Sequence, residues 1–171
     1  RIVRFTTGRY RRAWVKNVVA IGNAAGFVEP LEATALGVIA EDCQAIALSL
    51  WDCAFEPTPS LRNAYNNRCQ RIWDAIRNFL AVHYRFNRRL DTSFWRECRA
   101  STDLAGAQHI VDFYAENGPA VAYRELLVDS ADQFRLEGYW ALLVGQEVPF
   151  QRRTVPTADE LQAWQQHQLQ N

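Results

Sequence analysis

Asn17-Val18-Val19-Ala20-Ile21-Gly22-Asn23-Ala24-Ala25-Gly26-Phe27-Val28-Glu29-Pro30-Leu31-Glu32-Ala33-Thr34 reads as a buried strand, a turn of small residues and the start of a helix. Val18 to Ile21 is a short apolar run of the kind found in a parallel sheet covered on both faces. Gly22 to Gly26 carries little side-chain bulk, so a large group can approach the backbone there. Pro30 suits the first turn of a helix, where its missing N–H costs nothing. Leu36, Ile39, Cys43, Ile46 and Leu50 then recur at helical spacing. A strand that runs through a glycine turn into a helix N-terminus is a meeting point for anionic ligands and cofactors. Gly-Asn-Ala-Ala-Gly is not a Gly-x-Gly-x-x-Gly fingerprint, however, and an ordinary strand–turn–helix unit accounts for it equally well.

Working outward toward the N-terminus, Ile2-Val3-Arg4-Phe5 is strand-like. Thr7-Gly8-Arg9-Tyr10-Arg11-Arg12 is a basic turn, and Trp14 leads into the second strand. On the other side, Asp52 to Ser60 holds Pro57 and Pro59 and reads as a connection, with Thr58 a cap for the next helix. Tyr65, Cys69, Ile72, Ile76, Phe79 and Leu80 mark one face of a long helix from Leu61 to about Tyr84. Arg62, Asn66, Arg68, Arg71, Asp74 and Arg77 take much of the other face. His83, near its end, is expected to pack or cap. Asn87-Arg88-Arg89-Leu90-Asp91-Thr92 breaks the helix, and Asp91 or Thr92 caps a short helix with Phe94, Trp95 and Cys98.

Further helices are expected from about Leu104 to Asn117, stopped by Gly118-Pro119, and from Phe134 to Val144, stopped by Gly145. Residues 120–131 are ambiguous. Thr157-Ala158-Asp159-Glu160 is a capping box for a final helix through Leu161 and Trp164, and the Gln-rich end beyond it is expected to fray. The expected fold is mostly α with two or three short strands near the N-terminus. Those strands have no evident partners, so they are expected to complete a sheet supplied by an upstream part of an α/β protein.

With 171 residues, 49% of them hydrophobic, the chain is long enough for one domain with a real core. The 19 basic and 19 acidic residues cancel, and no long same-sign run suggests nucleic acid or an anionic membrane as a partner. No apolar stretch approaches the ~18 residues of a membrane span. The chain starts at Arg1 and contains no Met, which gives the expectation that it is the C-terminal part of something larger. Cys43, Cys53, Cys69 and Cys98 form no C-x-x-C pair and have no His cluster nearby, so no metal site is expected. Three of them sit near apolar helical positions as small hydrophobes, a usage that fits a reducing, cytoplasmic setting.

The segment from Gly22 to Thr34 resembles the Gly-Asn-Ala-x-Gly-Phe-x-Glu-Pro-Leu-Glu-Ser-Thr pattern of the flavin-dependent tryptophan halogenases. Three more segments are similar to that family: His83-Tyr84 with Asn87-Arg88-Arg89, Asp91-Thr92 and Phe94-Trp95; Tyr139-Trp140 with Gly145-Gln146 and Pro149; and Gly8-Arg9 followed by Trp14 and Asn17. Together they cover most of residues 8–150.

The resemblance implies that reduced FAD and oxygen oxidise chloride or bromide to hypohalous acid, which halogenates an electron-rich aromatic such as tryptophan or another indole in a separate pocket. It also implies a flavin reductase that supplies the reduced FAD, a small aromatic substrate that is free or carrier-bound, and a homodimer as an option. Residues 1–31 would then complete an upstream FAD domain, and residues 32–171 would form a helical region over the substrate.

Carried over position by position, Glu32 is the candidate catalytic carboxylate. Gly22, Asn23, Ala24, Gly26, Pro30 and Leu31 contact the flavin, and the backbone amides of Thr34 and Ala35 hold the halide. A carboxylate suits the task, because electrophilic substitution needs a base for the ring proton. Its plain alternative is a helix-start acid favoured by the dipole. The chain departs from the family at Ala33, often Ser, and at Ala35, often Gly. The family's essential lysine lies upstream of this motif, and Lys16, at a strand entry, does not take that role. The aromatic residues Trp73, Phe79, Phe94, Trp95 and Trp140 read as core before they read as an indole pocket. Two other readings stay open: a flavin monooxygenase that uses no halide, and a helical fragment without activity on its own.

Overall fold

Four two-residue strands, β1 (Gly8–Arg9), β2 (Trp14–Val15), β3 (Val18–Val19) and β4 (Gly26–Phe27), form two separate antiparallel pairs. The computed structural model describes residues 4–120, 122, 124–151, 157–159, 162 and 166. In one pair Trp14 faces Val19 and Val15 faces Val18. Lys16, at φ 54°, closes the two-residue turn between them. In the other pair Gly8 faces Phe27 and Arg9 faces Gly26. The expectation of a buried parallel strand at Val18–Ile21 is therefore corrected. The run folds back on its own neighbour in the chain, and Val18 is 65% exposed. Of the strand expected at 2–5, Arg4 and Phe5 are not in a strand, and the rest lies outside the described residues.

Helix α1 spans Thr34–Asp52. It starts four residues later than Pro30 suggested, because Ala33 sits in the left-handed region at φ 49° and separates a Pro30–Ala33 turn from the helix. Its expected apolar face is corrected in its first half, while Ile46 and Leu50 pack, partly buried, on the cluster around Trp14 and Tyr65. Val38 and Asp42 are the buried positions, whereas Leu36 is 74% exposed and Cys43 is exposed.

Helix α2, Pro59–Phe86, is the axis of the molecule. At 28 residues it is about 42 Å long. It starts as expected, with Thr58 Oγ1 accepting the Leu61 N–H at 3.2 Å. Tyr65, Cys69, Ile72, Ile76, Phe79 and Leu80 are all buried. One residue assigned to its polar face is not: Asn66 is buried and pairs with the backbone of Trp14. Its Oδ1 accepts the Trp14 N–H at 2.7 Å and its Nδ2 donates to the Trp14 carbonyl at 3.0 Å. Both ends of the amide are satisfied, which is what makes a buried Asn tolerable at this position.

Helix α3 (Ser93–Ser101) is capped by Thr92, while Asp91 pairs with Arg96 and Arg99. A 3-10 turn at Ala105–Ala107 leads into α4 (Gln108–Asn117), then come α5 (Arg124–Leu127) and α6 (Arg135–Gly145). The C-terminal half of α2 packs on α4 and α6 through Val82, Ile110, Tyr114, Leu136, Tyr139 and Leu143. Its N-terminal half packs on Trp14 and Ala25, and its middle on Val38 of α1. Ala158 and Asp159 are helical; Glu160, Leu161 and Trp164 of the expected final helix lie outside the described residues. Among the described residues no helix is long and apolar enough to cross a membrane.

Candidate active site

The turn after β3 is built by packing within the chain. Gly22, at φ 53°, has no room for a side chain: a Cβ would lie 2.2 Å from Ile39 Cγ1. A Cβ on Gly26 would meet the Trp73 ring at 2.8 Å. Ile39 and Trp73 therefore fill the side-chain side of these two glycines. The Gly22 N–H is held by Asp42 of α1, fully buried, whose Oδ2 accepts it at 3.2 Å. Asp42 Oδ1 pairs with Arg68 of α2 at 3.0 Å and accepts from the Cys69 thiol at 3.8 Å. Burial, with the Asp42 charge beside it, pushes the Cys69 thiol up to about 11. Sequence reading missed Asp42 because it lies within an apolar helical run, and its partners are 20, 26 and 27 residues away.

Asn23 and Ala24 remain exposed at the tip of the turn. Asn23 and Gly26 border an open recess of about 330 Å³ with Thr6, Thr7, Gly8, Arg9 and Tyr10. Arg9 is fixed there by a two-point pair with Asp74, at 2.8 and 2.9 Å. Pro30 and Leu31 are exposed and do not border this recess.

The second half of the site lies where the Pro30–Ala33 turn meets the end of α2. Glu29 Oε1 accepts the Leu31 N–H at 3.0 Å, and its Oε2 accepts the Tyr84 hydroxyl at 3.0 Å. Burial and the Glu29 hydrogen bond push the Tyr84 hydroxyl up to about 12. His83 Nε2 lies 2.9 Å from Glu32 Oε1. The atom is buried and makes no formed hydrogen bond, so the contact is electrostatic until one group rotates into line. Burial lowers the His83 ring below the usual histidine range, against the upward pull of Glu32 and Glu29. His83 thus packs, as expected, but beside the candidate catalytic carboxylate. Its neighbour in the chain was legible; its partner 51 residues back in the turn was not.

Ala33 has no side-chain oxygen to cap α1, and no capping bond forms. Among the described residues the N–H groups of Thr34 and Ala35 take no protein acceptor. Both residues are partly buried, so the helix start presents free donors and its positive dipole end beside Glu32.

Of the aromatic residues read as core, Trp73, Phe79 and Trp140 are buried. Phe94 and Trp95 are not: Phe94 is 57% exposed and Trp95 half-buried. Trp95 stacks on Tyr84 with ring centroids 5.5 Å apart, and Phe94 meets Trp95 edge-on at 5.1 Å. This shelf continues from the Glu29–Tyr84 hydrogen bond. Among the described residues no group of three or more His, Cys, Asp or Glu is placed to hold a metal ion.

The helical architecture matches part of the fold of solved flavin-dependent halogenases. One of them, from Brevundimonas sp. BAL3, matches 96% of this chain with a TM-score of 0.76 and 25% identity. The chain belongs to the tryptophan halogenase family, whose model matches residues 1–162. The lanthipeptide tryptophan 5-halogenase MibH is 40% identical, with a TM-score of 0.84 over 98% of this chain and 33% of its own. Tryptophan 6-halogenase ThaL of Streptomyces albogriseolus is 40% identical over 64% of this chain and 20% of its own length. Tryptophan 7-halogenase RebH of Lentzea aerocolonigenes is 35% identical over 69% and 23%. The chain spans about a fifth of the curated relatives it matches and about a third of the solved structures.

Proposed function

We propose that this chain supplies the halide-holding turn, the base and the aromatic shelf of a flavin-dependent halogenase acting on an electron-rich aromatic ring. The observation that carries the reading is the convergence of Glu32, the free Thr34 and Ala35 amides and the His83–Tyr84 pair around one helix start in a chain of this family. Asn23, with Ala24 at the exposed tip and Gly26 beside it, fits the edge of a bound flavin. Gly22 serves to hold that tip in place, and Pro30 and Leu31 lie on the same exposed strand of chain. FAD, when bound in its reduced form, supplies with oxygen the oxidising power that turns chloride or bromide into an electrophile.

The residues of this chain do the rest. The Thr34 and Ala35 amides hold the halide through two N–H groups and the dipole of α1. Glu32 takes the proton that the ring gives up as the carbon–halogen bond forms. Tyr84, Trp95 and Phe94 offer ring faces on which an indole stacks. The shelf is open on its outer side, and the likeness to MibH favours a tryptophan side chain carried in a peptide over the free amino acid. A flavin reductase and a second copy of the protein remain partners within this proposal.

The test uses the whole protein with a flavin reductase, FAD, oxygen and either bromide or chloride, offered free tryptophan, other indoles and tryptophan-containing peptides. Mass spectrometry is expected to find a halogenated product that tracks the halide supplied, with the peptide preferred. An oxygenated product formed without halide would replace this reading with a monooxygenase.

A further inference from the structure

His83 has a buried ring nitrogen with no hydrogen-bond partner, and that atom lies 2.9 Å from Glu32 Oε1. Buried polar atoms are ordinarily paired, so an open one beside a carboxylate needs an account. Phe79 meets the ring edge-on at 5.1 Å, and Gln146, after α6, fixes the His83 backbone by donating its Nε2–H to the His83 carbonyl at 3.1 Å. The Pro30–Ala33 turn closes over its Nε2 edge. The charged groups acting on the ring are Glu32 and Glu29, both from that turn. Its neighbours on α2 and after α6, Phe79 and Gln146, are uncharged. The side chain keeps 21% of its exposure, against 36% for Glu32, so Glu32 faces outward while His83 stands behind it.

Resting on the reading of Glu32 as the base, we propose that His83 acts through it: the imidazole takes over, at Nε2, the proton that Glu32 removes from the substrate ring. In that step the Glu32 O–H bond breaks and an N–H bond forms at His83 Nε2. The carboxylate recovers its charge for the next turnover, and the imidazolium passes its proton to water. The step requires a neutral ring protonated on Nδ1. Burial favours the neutral form at neutral pH, and acidification through the ring's own titration, below 6.5, removes the acceptor.

The test compares His83→Gln and Glu32→Gln with the wild type in the whole protein. Gln can hydrogen-bond to Glu32 but cannot take up a proton. In His83→Gln, kcat is expected to fall about tenfold or more while KM for the aromatic changes by no more than about twofold. The part of the acid limb of the kcat profile that the His83 ring sets should disappear. A second readout needs no turnover: NMR titration of the His83 ring, identified by the signal that is lost in His83→Gln. Removing the Glu32 charge should move that titration to lower pH.

Wild-type kcat and an unchanged profile in His83→Gln would overturn the proposal, as would a His83 titration unmoved in Glu32→Gln. Turnover that survives in Glu32→Gln would overturn the proposed function itself. Turnover lost there but intact in His83→Gln would overturn the role of His83 alone.

Discussion

At the scale of single residues, the carboxylates divide into one that faces out and one that is sealed in. Asp42 is fully buried and holds the Gly22 N–H and Arg68 together. Asp42→Ala leaves the arginine without its buried partner, and the expected loss is about 3 kcal/mol, read as a lower urea midpoint at an unchanged slope. A loss below ~1 kcal/mol would show that Glu41, which also pairs with Arg68 at 3.0 Å, takes over the contact. His83 makes a pH prediction. Its folded ring binds a proton less readily than the unfolded ring, whose value is 6.5. Stability is therefore lost as pH falls below about 6.5 toward the folded value, and is fully present above it. His83→Gln should flatten this part of a plot of melting temperature against pH. Glu32 was offered as a candidate by its motif, and the packing of His83 was legible from its place near the end of a helix. Asp42 and the contact between His83 and Glu32 were not, because helical periodicity records which residues share a face and not which distant group they touch.

At the scale of elements, the helices were read well and the strands were not. Thr58 and Thr92 cap α2 and α3, where short polar side chains precede a helical run. Such signals are local, so they survive without knowledge of the fold. Thr58→Ala should cost about 1 kcal/mol, measured by thermal melting. The apolar run at Val18–Ile21 misled because a turn at Lys16 returns it to Trp14–Val15, and a positive φ at a lysine has no sequence signature. The apolar positions of α1 misled in another way: Leu36 and Cys43 are periodic with Ile39, yet both are exposed, and the buried positions of the helix are Val38 and Asp42. The glycines at 22 and 26 were correctly singled out as places of close approach, but the groups that approach are Ile39 and Trp73. Gly26→Ala is accordingly expected to push on the Trp73 ring and cost about 1–3 kcal/mol. A blue shift of tryptophan fluorescence with no loss of stability would contradict that packing.

At the scale of the whole molecule, α2 joins the two halves of the account. Its first half secures the strands and the Gly22 turn through Asn66, Arg68 and Cys69. Its last turn delivers His83 and Tyr84 to the Pro30–Ala33 turn. One rigid helix therefore sets the spacing between the exposed tip at Asn23 and the aromatic shelf at Trp95. That division of labour makes a sharp claim about Glu32: it acts on the ring proton and not on halide oxidation. The deciding measurement runs both reactions in parallel on the whole protein and its Glu32→Gln variant, trapping free hypohalous acid with a reactive dione while quantifying halogenated aromatic product. The variant is expected still to oxidise halide and to lose aromatic product about a hundredfold or more. Aromatic product at the wild-type level in Glu32→Gln would contradict that claim.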